Sequence, residues 1–337
     1  MADRARQIAA FLAKAGWGGA ARRPLAGDAS FRRYERLTLG ERRAVLMDAP
    51  PPHEDVGAFH RVERLLGALG LSAPQALAVD REAGFMLLED LGDLTFTRAL
   101  AEGADERALY RLAVDVLAHL HARVDAAAPD ARALPDYDDR RLLDEALLLT
   151  DWYLPALRGE ETPAATREAY LEAWRAVLPI ARQVPSTLVL RDYHVDNLMV
   201  LPERRGVAGC GLLDFQDAVI GPRSYDLVSL LEDARRDIPA DLAAEMLARY
   251  FAAFPDIDPA AFRASYAILG AQRSAKIIGI FTRLCRRDAK PQYLHHIPRV
   301  WRLLEGDLAA RELAPVKAWF DEALPPSERR VPPAEAA

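Results

Sequence analysis

The sequence predicts an α+β chain in which a small antiparallel sheet precedes a larger, mostly helical part. Three observations lead there: loosely alternating apolar positions broken by tight turns before residue 92, long helical periods from Asp105 onward, and one β-rich module, STLVLRDYHVDNLMVLPERRGVAGCGLLDFQDA, set among those helices. With 337 residues the chain has the length of about two domains. Its 51% hydrophobic and 28% charged residues suit a packed core and exclude wholesale disorder. A formal charge of −6 with no long basic block gives no reason to expect nucleic acid or an anionic membrane as partner. Two cysteines, Cys210 and Cys285, lie outside any CxxC or Cys/His cluster, which argues against a disulfide framework, structural zinc or thiol redox chemistry and fits a reducing compartment. Charges interrupt the opening segment MADRARQIAAFLAKAGW, and no later apolar run is long enough to span a bilayer, so an unexported, cytoplasmic protein is expected.

In chain order, Ile8, Phe11, Leu12 and Ala15 recur at helical spacing and predict a helix over 4–15 that GWGG ends. The stretch RRPLAGDASFRRYERLTLGERRAVLMDAP alternates and breaks at Gly27 and at Leu39-Gly40-Glu41, predicting three antiparallel strands joined by two tight turns. Phe59, Val62, Leu65, Leu66 and Leu69 share one side of a helix over 56–69. Strands fit ALAVD and GFMLLED, and this order is that of an antiparallel sheet with one helix rather than a βαβ repeat. Helical periods then span 106–122, 140–157 and 166–180, and helices resume near Tyr225, Ala240, Pro259 and Val300 after the β-rich module. The pattern divides the chain into 1–92, a helical 93–325, and a flexible tail, 326–337, whose Pro, Glu and Arg residues carry no packing signal.

The β-rich module carries the chemistry. Asp192 and Asn197 lie five apart across a polar loop, and Asp214 closes an apolar run that would not tolerate a carboxylate in its interior. If the strands flanking Glu203-Arg204-Arg205-Gly206 pair as a hairpin, Asn197 and Asp214 become neighbours. An amide oxygen and a carboxylate there make a hard, oxygen-only ligand set suited to Mg²⁺, with phosphate oxygens and water filling the remaining positions. Asp192, which has no metal role in this scheme, is placed to orient an acceptor hydroxyl and take its proton as a phosphoryl group transfers. Taken singly, Asp214 reads most simply as a turn or cap carboxylate; the conjunction of the three residues carries the inference.

On these residues the chain resembles the kinase-like phosphotransferases, the group that includes aminoglycoside and choline kinases. Their catalytic loop has the form HxDxxxxN, and Asp192 and Asn197 match it, with Leu190 where His is usual. The resemblance covers most of the chain. It implies a protein-kinase-like fold of two lobes, a small antiparallel-sheet N-lobe binding nucleotide and a larger helical C-lobe carrying the catalytic loop and the acceptor site. It implies ATP and Mg²⁺, with Asp192 catalytic and Asn197, Asp214 and Asp217 toward the metal; Asp217 reads alternatively as a turn carboxylate. Asp226, in GPRSYDL, resembles the acid that ties the family's catalytic loop by backbone hydrogen bonds, and read alone is a helix N-cap.

Toward the nucleotide, Gly27, Asp28 and Ser30 read as a phosphate-facing turn or as a plain hairpin. The third strand, RRAVLMDAP, lacks the lysine that protein kinases use there, so either Arg33 or Arg43 supplies the charge, with Glu63 as its partner or as a solvated helix acid, or the phosphates rely more on the metal. Glu89 and Leu91, in LLEDLGD, resemble by position the hinge whose backbone reads adenine.

A narrower resemblance is to the anomeric amino-sugar kinases of peptidoglycan recycling. It rests on LAGDASFRRY, on VLMDAPP without a lysine, on LRDYHVDNLM, on GLLDFQDAVIGPRSYDLVSLLEDARRD and on GAQRSAKIIGIF. It implies ATP-dependent phosphorylation of the C1 hydroxyl of N-acetylmuramate or N-acetylglucosamine, and a monomer is expected. Tyr193 and His194 on the loop, with Tyr137 and Trp152 in the helical region, suit a sugar, although Trp152 also fits a core. Arg273 and Lys276 read as a site for the lactyl carboxylate of N-acetylmuramate or as a solvated basic patch. Asp136, Asp138, Asp139 and Glu145 keep a cationic acceptor, an aminoglycoside or aminoalcohol, open. The reading from another class is a nucleotide-binding regulatory protein without turnover; retention of Asp192, Asn197 and Asp214 together weighs against it.

Overall fold

A computed structural model describes residues 2–25, 32–125 and 128–334. The elements run α1 (Ala2–Lys14), β1 (Ala21–Pro24), β2 (Arg33–Leu39), β3 (Arg42–Asp48), α2 (Val56–Ala68), β4 (Ala76–Asp80), β5 (Phe85–Leu88), α3 (Phe96–Ala101) and α4 (Glu106–Arg123). They continue with α5 (Pro129–Arg132), α6 (Asp139–Ala146), α7 (Leu154–Arg158), α8 (Ala164–Ala181), β6 (Ser186–Val189), β7 (Leu198–Val200), β8 (Cys210–Leu212) and β9 (Val219–Pro222). The last are α9 (Tyr225–Leu231), α10 (Ala240–Ala253), α11 (Pro259–Asp288), α12 (Ile297–Asp307) and α13 (Ala314–Ala323). No helix among the described residues is long and apolar enough to cross a membrane.

The chain divides into two compact units, Met1–Arg123 with Val195–Ala218, and Val124–His194 with Val219–Ala337. The expected partition at residue 92 follows secondary structure, whereas these units follow packing: α4 lies against β8 and the turn Gly206–Gly209 and stays with them.

The first unit is built on an antiparallel sheet of order β1-β2-β3-β5-β4. α1 contributes Ile8, Phe11 and Leu12 to a core with Leu37, Ala44, Leu46, Phe85 and Leu87. Each such large side chain stabilises the packed state by about 2 kcal/mol. Asp55 caps α2, its carboxylate accepting the Gly57 N–H at 2.7 Å. The sequence pattern did not predict α3, which is only six residues long and too short to show a period; Thr95 caps it through the Arg98 N–H at 3.2 Å. β7 and β8 pair from Leu198 opposite Leu212 to Val200 opposite Cys210.

The second unit packs helices about α11, which is 30 residues long, over a core that includes Tyr170, Trp174, Trp301 and Phe320. β6 pairs with β9 at one side of it. The single helix expected over 140–157 is instead α6, a π turn at Leu149–Tyr153, and α7. Pro155 has no N–H to offer the carbonyl four residues back, and Gly279 of α11 approaches so closely that a Cβ there would overlap the Leu148 carbonyl. The tail also differs from expectation, being docked as far as Ala334. Tyr153 Oη donates to the Arg330 carbonyl at 2.7 Å, while the Arg329 guanidinium lies 5.8 Å from the Trp301 ring and bonds Glu305 at 3.1 Å. Polar and cation–π contacts hold this segment, and hydrophobic periodicity does not register those.

Candidate active site

In the first unit the β7–β8 hairpin is closed at its open end by the Leu213 N–H, which donates to the Asn197 carbonyl at 2.9 Å. Asn197 and Asp214 therefore flank the same end. Asp214 has φ +56°, a left-handed conformation that a short polar side chain tolerates and that ends the strand sharply. Gln216 Nε2 bridges two acids, donating to Asp214 Oδ1 at 2.9 Å and to the exposed Asp217 at 3.1 Å. The sequence reading passed over Gln216, although its place between the two acids in DFQD was the available signal.

The cation beside Asp214 is Arg32. Its Nη2 stands 3.3 Å from Asp214 Oδ1 and its Nε 3.8 Å from Glu54, with only 7% of the side chain exposed. Arg33 and Arg43, expected to supply this charge, are exposed on the sheet, opposite Asp48 and Thr38 respectively. Successive residues of extended chain face opposite ways, so the choice between Arg32 and Arg33 turned on a register that composition leaves open. Glu63 is buried, neither solvated nor at this arginine; His60 Nδ1 lies 3.4 Å from its carboxylate.

The same unit holds a cavity of about 350 Å³ with apolar walls from Val45, Phe59, Leu88 and Phe215. Glu89, Leu91, Asn197 and Asp214 also line it. The Glu89 N–H is engaged by the Gln75 carbonyl at 2.8 Å and its carboxylate pairs with Arg204. A flat apolar slot opening onto amide and carboxylate oxygens can take a heteroaromatic base at one end and phosphate at the other. Gly27, Asp28 and Ser30 lie outside the described residues.

In the second unit Asp192 and His194 line a cavity of about 110 Å³ together with Arg235, Arg273 and Lys276. The Asp192 N–H donates to the Leu190 carbonyl at 2.9 Å around Arg191 at φ +72°, a γ-turn with positive φ at its centre. Asp226, fully buried, accepts the Leu190 N–H at 2.6 Å and the Arg191 N–H at 2.9 Å. Burial pushes its pKa up to about 7 despite those two amides, which favour the carboxylate. Arg273 donates to the Glu232 carbonyl at 3.0 Å, and Lys276 pairs with Glu145 at 3.0 Å, so the solvated-patch reading of these two does not hold. Burial would lower the Lys276 pKa, but Tyr225 and the Glu145 carboxylate outweigh it and leave the ammonium charged. His194 is shifted down by burial and then by Arg235, leaving a neutral imidazole at pH 7.

The aromatic residues expected at this cavity stand outside its walls. Tyr193 is buried; Tyr137 packs edge-on against Tyr225 at 5.0 Å and donates its hydroxyl to Glu145 at 2.6 Å. Trp152, on the π turn, lines a separate groove with Arg286 and Pro333. Beside Asp192 the walls instead combine three cations and one imidazole with two other aromatic residues, Tyr225 and Phe281.

The model of the Phosphotransferase enzyme family matches residues 21–264, a range that contains Asp192, Asn197, Asp214 and Asp226. The chain belongs to that family. This phosphotransferase is 39% identical over 362 residues to the N-acetylmuramate/N-acetylglucosamine kinase of Caulobacter vibrioides, a match covering 97% of this chain and 99% of the relative. It is 42% identical over 300 residues to the protein of the same name from Pseudomonas aeruginosa, covering 86% of this chain and 85% of that one. Among solved structures it is similar to a choline/ethanolamine kinase family protein from Mesorhizobium loti, with TM-score 0.61, 17% identity, and 94% and 98% of the two chains covered. The ADP-bound aminoglycoside phosphotransferase APH(2'')-Ib gives TM-score 0.54 at 17% identity, covering 85% and 92%. The phosphotransferase thus has a protein-kinase-like α+β fold and is an enzyme of the kinase type.

Proposed function

We propose that this phosphotransferase transfers the γ-phosphoryl group of ATP to the anomeric C1 hydroxyl of N-acetylmuramate and N-acetylglucosamine, giving the sugar 1-phosphate. The observation that carries the acceptor class is the cavity at Asp192, where Arg235, Arg273 and Lys276 stand around a single carboxylate. Such a wall suits a neutral or carboxylate-bearing sugar and repels a polycationic aminoglycoside or an aminoalcohol. The near-full-length likeness to the Caulobacter kinase supports the same acceptor.

In this reading Asp192 orients the C1 hydroxyl and takes its proton, and neutral His194 hydrogen-bonds a sugar hydroxyl. Arg273 and Lys276 meet the lactyl carboxylate when the sugar carries one. Asp226 keeps the loop in place through its two backbone bonds. The apolar slot of the first unit takes adenine beside Glu89 and Leu91, and Arg32 supplies toward the phosphates the charge that a strand-three lysine gives elsewhere. The amide and carboxylate oxygens of Asn197 and Asp214, brought to one hairpin end, fit Mg²⁺, with Asp217 as a second acid tied to Asp214 through Gln216. Bound there, Mg²⁺ neutralises phosphate charge. The same proposal takes the enzyme to be a cytoplasmic monomer that serves amino-sugar recycling.

The test is ADP release with ATP and Mg²⁺ across N-acetylmuramate, N-acetylglucosamine, glucose, choline, homoserine and an aminoglycoside, with Asp192→Ala as the blank. Phosphorus NMR of the product should find phosphate on C1 of an N-acetyl sugar. Phosphate on an aminoglycoside or aminoalcohol would overturn the acceptor, and tight ATP binding without turnover of any acceptor would overturn the enzyme.

A further inference from the structure

We propose that Glu145 is a positioning residue: by holding the Arg191 side chain it fixes the turn that presents Asp192, and with the same carboxylate it fixes Lys276 in the acceptor cavity. The inference rests on the reading of Asp192 as the proton acceptor.

Arg191 occupies the centre of the γ-turn at φ +72°, where a residue with a β-carbon is strained by about 1–3 kcal/mol and glycine is the relaxed choice. A strained residue persists only where its surroundings over-determine it, and here at least three groups do so. Asp226 accepts its N–H at 2.9 Å, Ser229 Oγ donates to its carbonyl at 3.3 Å, and Glu145 pairs with its guanidinium. The first two hold the backbone of any residue at this position, whereas the third acts on this side chain alone. A long charged side chain at a position suited to glycine becomes a handle when its far end is anchored.

The anchor is itself well fixed. Glu145 on α6 accepts the Tyr137 hydroxyl at 2.6 Å and the Gln272 amide at 3.4 Å, and pairs with Lys276 at 3.0 Å. Burial would push this carboxyl up, but Lys276 and Arg191 more than reverse that, so it is ionised at neutral pH. Removing the charge leaves two enclosed cations facing each other, one on the Asp192 turn and one in the cavity wall. Their repulsion acts on the backbone beside Asp192, and sub-ångström displacement there is a kinetic defect.

The experiment is a double-variant cycle of Glu145→Gln with Arg191→Gly, reading kcat and both KM values, with thermal unfolding of every variant. Glu145→Gln should lower kcat by about tenfold to a hundredfold while leaving the KM for ATP within about twofold. In the Arg191→Gly background, where glycine holds the turn without a handle, the same substitution should lower kcat by less than about threefold relative to Arg191→Gly alone. The acceptor KM should rise in both backgrounds, because Lys276 loses its partner in both. Equal kcat losses in the two backgrounds, or none in either, would overturn the proposal. Should Glu145→Gln fail to fold, Glu145→Asp, which keeps the charge and shortens its reach, carries the same cycle. Asp192→Asn run alongside separates the two levels: if it retains turnover, the proton-acceptor reading fails whatever the cycle shows.

Discussion

The guanidinium of Arg32 stands 3.3 Å from the carboxylate of Asp214, in a chain whose third strand, RRAVLMD, contains no lysine. That pairing moves the expected phosphate-side charge to the segment just before β2. Arg32→Met should raise the KM for ATP about tenfold or more, while Arg33→Met and Arg43→Met, both at exposed positions, should change it by less than about twofold. Initial-rate kinetics on the three variants decide the point, and equal effects at all three would withdraw the role from Arg32.

Asp192 and Asp214 should separate in their kinetics. Asp192→Asn is expected to lower kcat by about 10²–10⁴ with ATP affinity largely kept, since a lost proton acceptor acts on the chemical step. Asp214→Asn should weaken nucleotide binding as well, and shift the Mg²⁺ dependence of turnover to higher concentration. Calorimetric ATP titration at several Mg²⁺ concentrations reads both, and identical profiles would deny the division of labour.

Arg273 and Lys276 should govern the choice between acceptors more than the rate on either. With Arg273→Met or Lys276→Met, kcat/KM for N-acetylmuramate should fall about tenfold relative to that for N-acetylglucosamine, which lacks the carboxylate. A proportional loss on both sugars would mean that the two cations shape the cavity without reading the substituent.

The linear order of strands and helices could be read from the chain because each strand or long helix repeats its apolar positions enough times to show a period. Asp192, Asn197 and Asp214 were legible for a related reason: their chemistry is confined to one module with fixed spacings. Arg32, Gln216 and Glu145 were not read correctly. Arg32 depends on which side of an extended chain faces Asp214, Gln216 on a turn, and Glu145 on α11 bringing Lys276 against α6 from 131 residues away in sequence. The aromatic residues offered for the sugar misled because Tyr137 and Tyr193 are large enough to be drawn into the core, where their apolar area counts for more than their hydroxyls.

The buried acids Glu232 and Asp307 predict a pH dependence for the fold. The carboxyl groups of Glu232 and Asp307 both face Gly270, where a Cβ would lie 2.8 Å from the first and 2.5 Å from the second, and Tyr266 and Arg273 lie near Glu232. Burial pushes Glu232 up to about 7 and Asp307 well above its ordinary value. A carboxyl whose folded pKa exceeds its unfolded one binds its proton more tightly in the folded state, so its stabilising contribution is complete at acid pH below about 4 and is lost as pH rises through about 7. Glu232→Gln should therefore raise the melting temperature relative to the parent at pH 8.5 and not at pH 4.5. A constant difference across that range, followed by differential scanning calorimetry, would show that the pair does not titrate between folded and unfolded states.

Arg329 should matter to stability and not to turnover. Its guanidinium lies over Trp301 and Phe320 and pairs with Glu305 and Asp321, so Arg329→Ala should cost about 1 kcal/mol, visible as a lower denaturant midpoint at unchanged kcat. An unchanged midpoint would mean that the docked tail contributes nothing to the folded state.

Gly279 carries a consequence for how this enzyme can change. A methyl group at that position has nowhere to go except by lifting α11 off the Leu148 carbonyl, and α11 is the same rod that holds Arg273 and Lys276. Acceptor preference is therefore open to revision one charge at a time, by exchanging the cations where they stand. It is closed to revision by sliding or splicing the helix, since a chimaera joined between 276 and 279 would inherit both charges from one parent and the register that aims them from another.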